Sequence, residues 1–190
     1  MPLTIDQVVR LYASEGAARY GSEAVSQEQH ALQCAFLAER AGATPQLVAA
    51  ALLHDLGHLL EKREDAGAPR DDLHEFRALP FLRGEYPDSV IQPIRLHVAA
   101  KRYLCAVDPA YRGSLSAAAR RSLDFQGGAF SPEDIERFLA EPHAIDAVSL
   151  RRWDDQAKIA GRATPGWDHF QRVLERAALQ RSPRQPAVAA

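Results

Sequence analysis

The sequence lacks the features that mark secreted and membrane proteins. Its only two cysteines, Cys34 and Cys105, do not have the spacing of a disulfide framework, so we expect both thiols to be reduced. No apolar run approaches the length of a membrane span. The first residues also lack the charged-then-apolar pattern of a signal peptide. Together these absences predict a cytoplasmic protein.

An excess of charge of one sign is also missing. Of the 190 residues, 23 are Lys or Arg and 25 are Asp or Glu, which gives a formal net charge of −2. This balance gives no reason to expect nucleic acid or an anionic membrane as a partner. A binding site for an anion must therefore be built from a local cluster of positive groups.

The apolar residues recur with a helical period, and neither an internal repeat nor a useful strand pattern is visible. The sequence therefore predicts an all-α fold. Its length is that of one domain, which we place at residues 1–180. Residues 181–190 contain two prolines and no periodic apolar face, so we expect a disordered C-terminal tail.

Helix start signals precede the first three predicted helices. Thr4 is a plausible N-cap, Ser26 with Gln29 resembles a capping box, and Thr44 with Pro45 has the cap-then-proline order. Further helices are expected near 73–82, 88–103, 131–139, 143–161 and 167–179.

Two glycine-containing segments are expected to be irregular. Residues 61–72 are charged and predict a surface loop, and residues 108–130 suit a loop over a site. The third helix, by contrast, is expected to continue through His54 and Asp55, which would place His54 and His58 on one helix face.

Imidazole and carboxylate side chains recur in an order that indicates a metal site. The candidate ligands are His30, His54, Asp55, His74, His97 and Asp154. The two oxygens of a carboxylate at Asp55 can each bind one ion, which would make it a bridge between two metals. Mixed imidazole and carboxylate ligation without thiolate suits iron, manganese or zinc. Open positions on iron imply oxygen chemistry, whereas open positions on zinc or magnesium imply a hydrolytic water.

Each candidate ligand alone is weak support. A single helical histidine is usually exposed or hydrogen-bonded, and a His-Asp pair by itself is common. However, four of the seven histidines fall within the pattern, and Asp154 lies in a well-patterned helix. The whole set favours metal binding.

The order H…HD…H…H…D resembles that of the HD-domain superfamily, whose members are helical and mostly phosphohydrolases. The chain is more similar to the mixed-valent di-iron oxygenases that cleave phosphonates, especially those acting on 2-amino-1-hydroxyethylphosphonate. The resemblance runs from about residue 20 to 158, and it is carried by the segments 20–23, 27–30, 51–58, 74–75, 96–104, 122–128 and 150–158.

This resemblance implies a role for each candidate residue. The first iron would take His30, His54, Asp55 and Asp154, and the second would take Asp55, His74 and His97, as a mixed Fe(II)/Fe(III) pair. The residues implied near the substrate are Tyr20, Glu23, His58, Lys101, Ser122 and Arg151. Tyr20, Glu23, His58 and Lys101 are the implied catalytic residues, with Tyr20 matching a tyrosine that can occupy the second iron and Glu23 an acid that receives an ammonium group.

The phosphonate itself would be bound by His58, Lys101, Ser122 and Arg151. Spacing agrees, because Lys101 lies one helical turn after His97 and Arg151 lies three residues before Asp154. Three potential cations beside a metal pair would form an anion pocket. One departure is Ala119, where the family often presents a further hydroxyl.

The implied reaction uses O2 to cleave a carbon–phosphorus bond, giving glycine and phosphate from the amino substrate. A trimethylammonium analogue would require aromatic faces, for which Tyr103, Phe125, Phe130 and Trp153 are available. Two other classes remain open: an HD-type metal-dependent phosphohydrolase and a helical binding module without catalysis.

Overall fold

A computed structural model describes residues 2–18, 20, 23–60 and 73–179. Within these ranges the chain forms twelve helices and no strand beyond an isolated bridge between Arg83 and Tyr86. The all-α prediction is therefore confirmed. The helices are α1 Ile5–Glu15, α2 Gln27–Arg40, α3 Pro45–Leu53, α4 Leu56–Leu59, α5 His74–Arg77, α6 Leu79–Leu82, α7 Asp88–Val107, α8 Pro109–Ser114, α9 Ala117–Phe125, α10 Pro132–Leu139, α11 Ala144–Gln156 and α12 Trp167–Ala177.

Two sequence predictions lie outside the described residues. These are the loop over 61–72 and the disordered tail over 181–190. The assignment of residues 1–180 to a single domain also stays a prediction. None of the described helices is both long enough and apolar enough to cross a membrane.

The predicted N-caps of the first three helices are confirmed. The hydroxyls of Thr4 and Ser26 each close a capping box, with Gln7 and Gln29 respectively. Thr44 accepts a hydrogen bond from the backbone N–H of the third helical residue, ahead of a proline in the first turn. Each cap satisfies backbone donors that the first helical turn leaves without a partner.

The prediction of one helix through the His-Asp pair is wrong. Helix α3 ends at Leu53, and α4 begins at Leu56 after Asp55 has taken up a conformation with φ −99° and ψ 10°. His54 and His58 consequently belong to different helices rather than to one face.

Helix α3 lies at the centre of the packing. Every residue from Leu47 to Leu53 is buried, and α2, α7, α11 and α12 all contact this helix. Its three successive alanines at 49–51 have no side chain longer than a methyl group, so neighbouring helices can approach closely. Helix α7 also packs along α11, which brings distant parts of the chain to the end of α3.

Residues 108–130 are more regular than predicted. They contain α8 and α9, capped by the side chains of Asp108 and Ser116. The helices are only six and nine residues long, so little periodic pattern exists to indicate them. Elsewhere, α7 runs to Val107, beyond its predicted end, and the 73–82 segment forms two short helices instead of one. Cys34 and Cys105 are free and buried, as expected of reduced thiols.

Candidate metal centre

Four side chains from three separate segments meet at the end of α3. The Nε2 atoms of His30 and His54 lie 3.3 Å apart. The Oδ1 atom of Asp154 lies 3.4 Å from His30 Nε2, and its Oδ2 atom lies 3.8 Å from His54 Nε2. The Oδ2 atom of Asp55 approaches both imidazoles, at 3.5 and 3.3 Å. All four side chains are buried, which makes this first cluster a compact set of nitrogen and oxygen donors.

Carbonyl groups at helix ends fix the protonation pattern of these imidazoles. The Nδ1 atoms of His30 and His54 lie 2.9 Å from the carbonyl oxygens of Ala157 and Ala51. A carbonyl only accepts, so each Nδ1 carries a hydrogen and donates it. In the neutral imidazole, Nε2 then presents its lone pair. The carbonyls are available because α3 and α11 end here and leave their last carbonyls without helical partners.

A second cluster lies on the other side of Asp55. The Nε2 atoms of His74 and His97 are 3.0 Å apart, and Asp55 Oδ1 lies 3.2 and 3.7 Å from them. His97 donates from Nδ1 to the carbonyl oxygen of Ile94 at 2.7 Å, which again turns Nε2 toward the cluster. Thus one oxygen of Asp55 faces each cluster, in the arrangement that a bridging carboxylate requires.

The donor set fits a pair of divalent or trivalent cations. Asp55 Oδ2 and Asp154 Oδ1 are buried and have no hydrogen-bond partner in the part of the chain that the structure describes. Unpaired buried carboxylate oxygens are costly, and a metal ion would satisfy both. Facing pairs of Nε2 lone pairs likewise repel unless a cation lies between them. The residues therefore fit two metal ions.

The electrostatics of the cluster also favour a cation. Burial opposes ionisation of Asp55, but His54 and His74 hold the pKa of its carboxyl well below the usual range. Burial opposes ionisation of Asp154 too, yet Arg151 and His30 hold its pKa well below the usual range. Burial would lower the pKa of His54, but the charges of Asp55 and Asp154 outweigh it and raise that pKa. Two ionised carboxylates in a buried site attract a cation strongly.

Close contact between α4 and α5 positions the second cluster. A Cβ atom added to Gly57 would lie 2.0 Å from the carbonyl oxygen of His74, so only glycine permits this approach. The ring of His58 stacks on that of His74, with centroids 4.1 Å apart. His58 Nε2 lies 3.8 Å from Asp55 Oδ1. His58 therefore lies on the second-cluster side of Asp55, and not beside His54 as a continuous helix would have placed it.

The clusters open into a cavity of about 310 Å³. All six residues that the sequence predicts near the substrate line it, together with the facing carboxylates and two of the imidazoles. The predicted set is Tyr20, Glu23, His58, Lys101, Ser122 and Arg151. The cavity is thus a single space shared by four of the candidate metal ligands and the predicted substrate contacts.

Lys101 is a buried cation inside this cavity. Its side chain is only 2% exposed, and its Nζ donates a 2.7 Å hydrogen bond to Ser122 Oγ. Ser122 donates in turn to the carbonyl oxygen of Ala119. Burial, followed by the nearby charge of Arg151, lowers the pKa of Lys101 to about 7. A buried ammonium with this pKa gains much from an anionic ligand.

Arg151 is held by acidic neighbours beside the first cluster. Its Nη1 donates to Asp154 Oδ2 at 2.7 Å, while Nε and Nη2 donate to the carboxylate of Asp155. The hydroxyl of Tyr111 donates to Asp155 at 2.5 Å and accepts from Arg151 Nε at 3.2 Å. Arg151 thus joins the carboxylate of Asp154 to the cavity wall, and its role as a phosphonate contact stays a prediction.

Tyr20 and Glu23 occupy the side of the cavity near α2. The ring of Tyr20 stacks on the ring of His30, with centroids 3.9 Å apart. Burial, with the charges of Asp154 and Asp55, raises the pKa of the Tyr20 phenol, which keeps it protonated. Glu23 accepts a 2.8 Å hydrogen bond from Ser116 Oγ. Sequence patterns alone gave no sign of this link to the N-cap of α9.

Some residues expected near the site lie elsewhere, and others were missed. Of the four aromatic residues available to an ammonium group, only Phe125 lines the cavity. Tyr103 and Phe130 pack against Phe138, and Trp153 packs on the main core. The cavity also includes Gln27, Gln126 and Lys158, which lie in segments that carry the family resemblance but received no role of their own. Gln126 follows Ser122 by one helical turn, a spacing that could have identified it.

Comparison with known proteins agrees with this site. The HD domain model matches residues 28–104, which include five of the six candidate ligands, Asp55 among them. The chain is 38% identical over 174 residues to a hydroxymethylphosphonate dioxygenase of Gimesia maris, covering 90% of this chain and 86% of the relative. It is 33% identical over 168 residues, or 87% of this chain and 86% of the relative, to the glycine-betaine-forming [1-hydroxy-2-(trimethylamino)ethyl]phosphonate dioxygenase of Leisingera caerulea. The chain belongs to the family of HD-domain phosphonate oxygenases.

Proposed function

We propose that this protein is a di-iron dioxygenase that cleaves the carbon–phosphorus bond of a 1-hydroxyphosphonate. The observation that carries the proposal is the orientation of Asp55, whose two oxygens face separate imidazole clusters at the floor of one cavity. The cations Lys101 and Arg151 line the same cavity. A paired metal site beside an anion pocket supports metal-assisted chemistry on a small anionic molecule, and the similarity to two phosphonate dioxygenases supports oxidative chemistry.

Two iron ions would be held by the two clusters. His30, His54 and Asp154 would bind the first, His74 and His97 the second, and Asp55 would bridge them. When bound, the iron pair would supply the redox chemistry with O2 that protein side chains cannot perform. The structure describes three candidate ligands in the second cluster, which is fewer than an iron ion usually takes. Coordination positions would therefore remain for substrate and O2.

The protein's own side chains would bind and orient the substrate. Lys101, Arg151 and His58 bring positive or hydrogen-bonding groups to the phosphonate, and Ser122 offers a hydroxyl beside Lys101. Their burial strengthens each charge-assisted hydrogen bond relative to one in water. Holding the phosphonate in this way would fix the C1 carbon over the metal pair, which is the orientation that oxygen insertion requires.

The proposed reaction balances without an external reductant. One molecule of 2-amino-1-hydroxyethylphosphonate and one O2 give one glycine and one inorganic phosphate. The carbon–phosphorus bond breaks, both atoms of O2 enter the products, and C1 is oxidised from an alcohol to a carboxylate. Glu23 would receive the ammonium group of this substrate by opposite charge, which supports the amino compound as the first candidate.

The cavity lining gives less support to the trimethylammonium analogue. This group has no N–H donor and is best bound by several aromatic faces. Among the described cavity residues, the aromatic rings are those of Tyr20 and Phe125, and the Tyr20 ring already stacks on His30. Hydroxymethylphosphonate, the compound named for one relative, would fit as a smaller 1-hydroxyphosphonate without an amine.

The test is phosphate release by iron-loaded protein, with and without O2. The substrates are 2-amino-1-hydroxyethylphosphonate, its trimethylammonium analogue, hydroxymethylphosphonate and a phosphomonoester. We expect O2-dependent phosphate release from at least one hydroxyphosphonate, with one O2 consumed per phosphate. Anaerobic phosphate release from the phosphomonoester alone would instead identify an HD-type phosphohydrolase and overturn the proposal.

A further inference from the structure

Helix α9 forms one wall of the cavity, and the polar side chains that it presents there lie toward its C-terminal end. The helix presents Ala118, Ala119, Ser122, Phe125 and Gln126 to the cavity. The two alanines leave space near the start of the helix. Ser122 follows one turn later and is bonded to Lys101, and Gln126, the C-cap residue, follows one turn after Ser122. Residues four apart lie on one helix face, so Gln126 is the next side chain along the same wall.

The side-chain amide of Gln126 has no bonding partner for its oxygen. Its Oε1 atom is buried, yet no donor bonds to it in the described part of the chain. Buried polar atoms in native proteins are nearly always paired, and those that are not are often explained by a ligand or an ordered water. Gln126 lines the same cavity as Lys101, Arg151 and the two clusters, so a ligand is the more specific explanation.

The amide can serve an anionic ligand because its two ends are nearly the same shape. Rotation by 180° exchanges Oε1 and Nε2 without changing the volume of the side chain, and Nε2 then offers two N–H donors. A phosphonate offers oxygens that accept. Ala119 has no hydroxyl to donate, although it faces the cavity two turns before Gln126. The amide of Gln126 would supply a donor to the phosphonate that this alanine cannot.

We propose that Gln126 is a substrate-binding residue that donates from Nε2 to a phosphonate oxygen, beside the Lys101–Ser122 pair. This inference rests on the proposed function for the identity of the ligand. The contact is with the phosphonate end, which all 1-hydroxyphosphonates share, and not with the amine end near Glu23. Gln126 therefore contributes to affinity for the whole substrate class rather than to the choice among its members.

The test compares Gln126→Met, Gln126→Glu and wild type in the iron-loaded protein. Met keeps the approximate length of the side chain without hydrogen-bonding groups, whereas Glu adds a negative charge opposite the phosphonate. We expect Gln126→Met to raise KM about tenfold for amino and hydroxymethyl substrates alike, with kcat within about twofold. Gln126→Glu should raise KM further, by about 100-fold. Gln156→Met is the matched control, because Gln156 is exposed on α11 outside the cavity, and it should leave KM unchanged.

Thermal melting separates a binding role from a structural one. Loss of an unpaired buried amide is close to neutral for folding, so Gln126→Met should keep or raise the Tm of the ligand-free protein while weakening binding. A lower Tm with unchanged KM would assign Gln126 a structural role and overturn the proposal. Unchanged affinity of Gln126→Glu for the amino substrate would also overturn it, because Gln126 would then lie at the amine end.

Binding of methylphosphonate distinguishes this inference from the proposed function. Methylphosphonate has no C1 hydroxyl, so it probes the anion pocket without being the proposed substrate. Weaker methylphosphonate binding by Gln126→Met, measured by calorimetry, would support the inference even if wild-type protein released no phosphate from any hydroxyphosphonate. Equal binding by Gln126→Met and wild type would overturn the inference alone, even if wild type were an active dioxygenase.

Discussion

The Nε2 atoms of His30 and His54 face each other across 3.3 Å, while both Nδ1 atoms donate to backbone carbonyls. Neutral imidazoles in this arrangement direct two lone pairs toward one point, which is favourable only when a cation occupies it. The carboxylate of Asp154 approaches the same point. Imidazole orientation is therefore set by the ends of α3 and α11 before any metal binds.

Loss of a ligand from either cluster should remove a specific metal ion. We expect His97→Ala to lose the second ion and Asp154→Ala to lose the first, because each residue belongs to a different cluster. Both variants should lose phosphate release, with residual activity below about 1% of wild type. Metal analysis and O2-dependent phosphate release measure the two effects.

The control for these ligand variants is His169→Gln. His169 pairs with Glu39 at 2.9 Å on the α12 side of the molecule and does not line the cavity. The His169→Gln variant should retain the metal content and activity of wild type. Wild-type activity in His97→Ala would show that the second cluster is not part of the catalytic site.

Substitution of Gly57 should disturb the second cluster without changing a ligand. A Cβ at this position would lie 2.0 Å from the backbone oxygen of His74, so Gly57→Ala must displace α5. We expect affinity for the second metal ion to fall about 10- to 100-fold while the first ion is retained. Metal titration followed by spectroscopy would measure this change.

A matched glycine elsewhere supplies the comparison for Gly57→Ala. Gly113 lies in α8, and an added Cβ there would meet no atom within 4 Å. Gly113→Ala should therefore bind both ions as wild type does. Equal metal affinity in the two variants would mean that close approach of α4 and α5 does not position His74.

Phosphonate binding should weaken as pH rises through about 7. Burial and Arg151 lower the pKa of Lys101 to about 7, so its ammonium loses its proton near neutrality in the ligand-free protein. A phosphonate binds the charged form better. We therefore expect the KM of wild type to rise above this pH. Lys101→Met should have a higher KM than wild type at low pH, and its KM should change less with pH. An identical pH profile in the variant would exclude Lys101 as the titrating group.

The same pKa shift predicts how stability depends on pH. The pKa of Lys101 is about 7 in the folded protein and 10.5 in the reference state, so the unfolded chain binds more protons between these values. The contribution of Lys101 to the free energy of unfolding should thus rise with pH across this window and be least favourable below about pH 7. Denaturant titrations at several pH values would give the free energy of unfolding of both proteins. This free energy should rise less steeply with pH in Lys101→Met than in wild type.

Glu23 should matter for one kind of substrate and not for another. Its carboxylate is held by Ser116 within the cavity and would receive the ammonium of an amino substrate. We expect Glu23→Ala to raise KM for 2-amino-1-hydroxyethylphosphonate about 10- to 100-fold, with little change for hydroxymethylphosphonate. Steady-state kinetics with both substrates measures the difference. An equal increase in KM for both substrates would indicate that Glu23 maintains the shape of the cavity and does not bind the amine.

Local signals in the sequence were sufficient to predict the helix starts and the candidate ligands. Thr4, Ser26 and Thr44 cap helices because hydroxyl side chains bond to backbone N–H groups a few residues away, which is a local interaction. The family pattern similarly marked all six candidate ligands, which converge in the structure. These features depend on residue type and spacing, which a sequence contains.

Features that depend on tertiary contacts could not be predicted. Neither Asp55 nor its direct neighbours are glycine or proline, so the sequence gives no signal for the break there. The break nevertheless places the ring of His58 against that of His74, on the second-cluster side of Asp55. The buried, unpaired oxygen of Gln126 becomes visible only once the walls of the cavity are known. Each depends on how separate helices pack and not on the residues next to it.

The most direct test of the two-metal account is anomalous X-ray diffraction from crystals of the iron-loaded protein at the iron absorption edge. The account predicts two iron peaks about 3.5–4 Å apart, one on each side of the Asp55 carboxylate. The first peak should lie beside His30, His54 and Asp154, and the second beside His74 and His97. A single iron peak in fully loaded crystals, or two peaks that do not share Asp55, would contradict it.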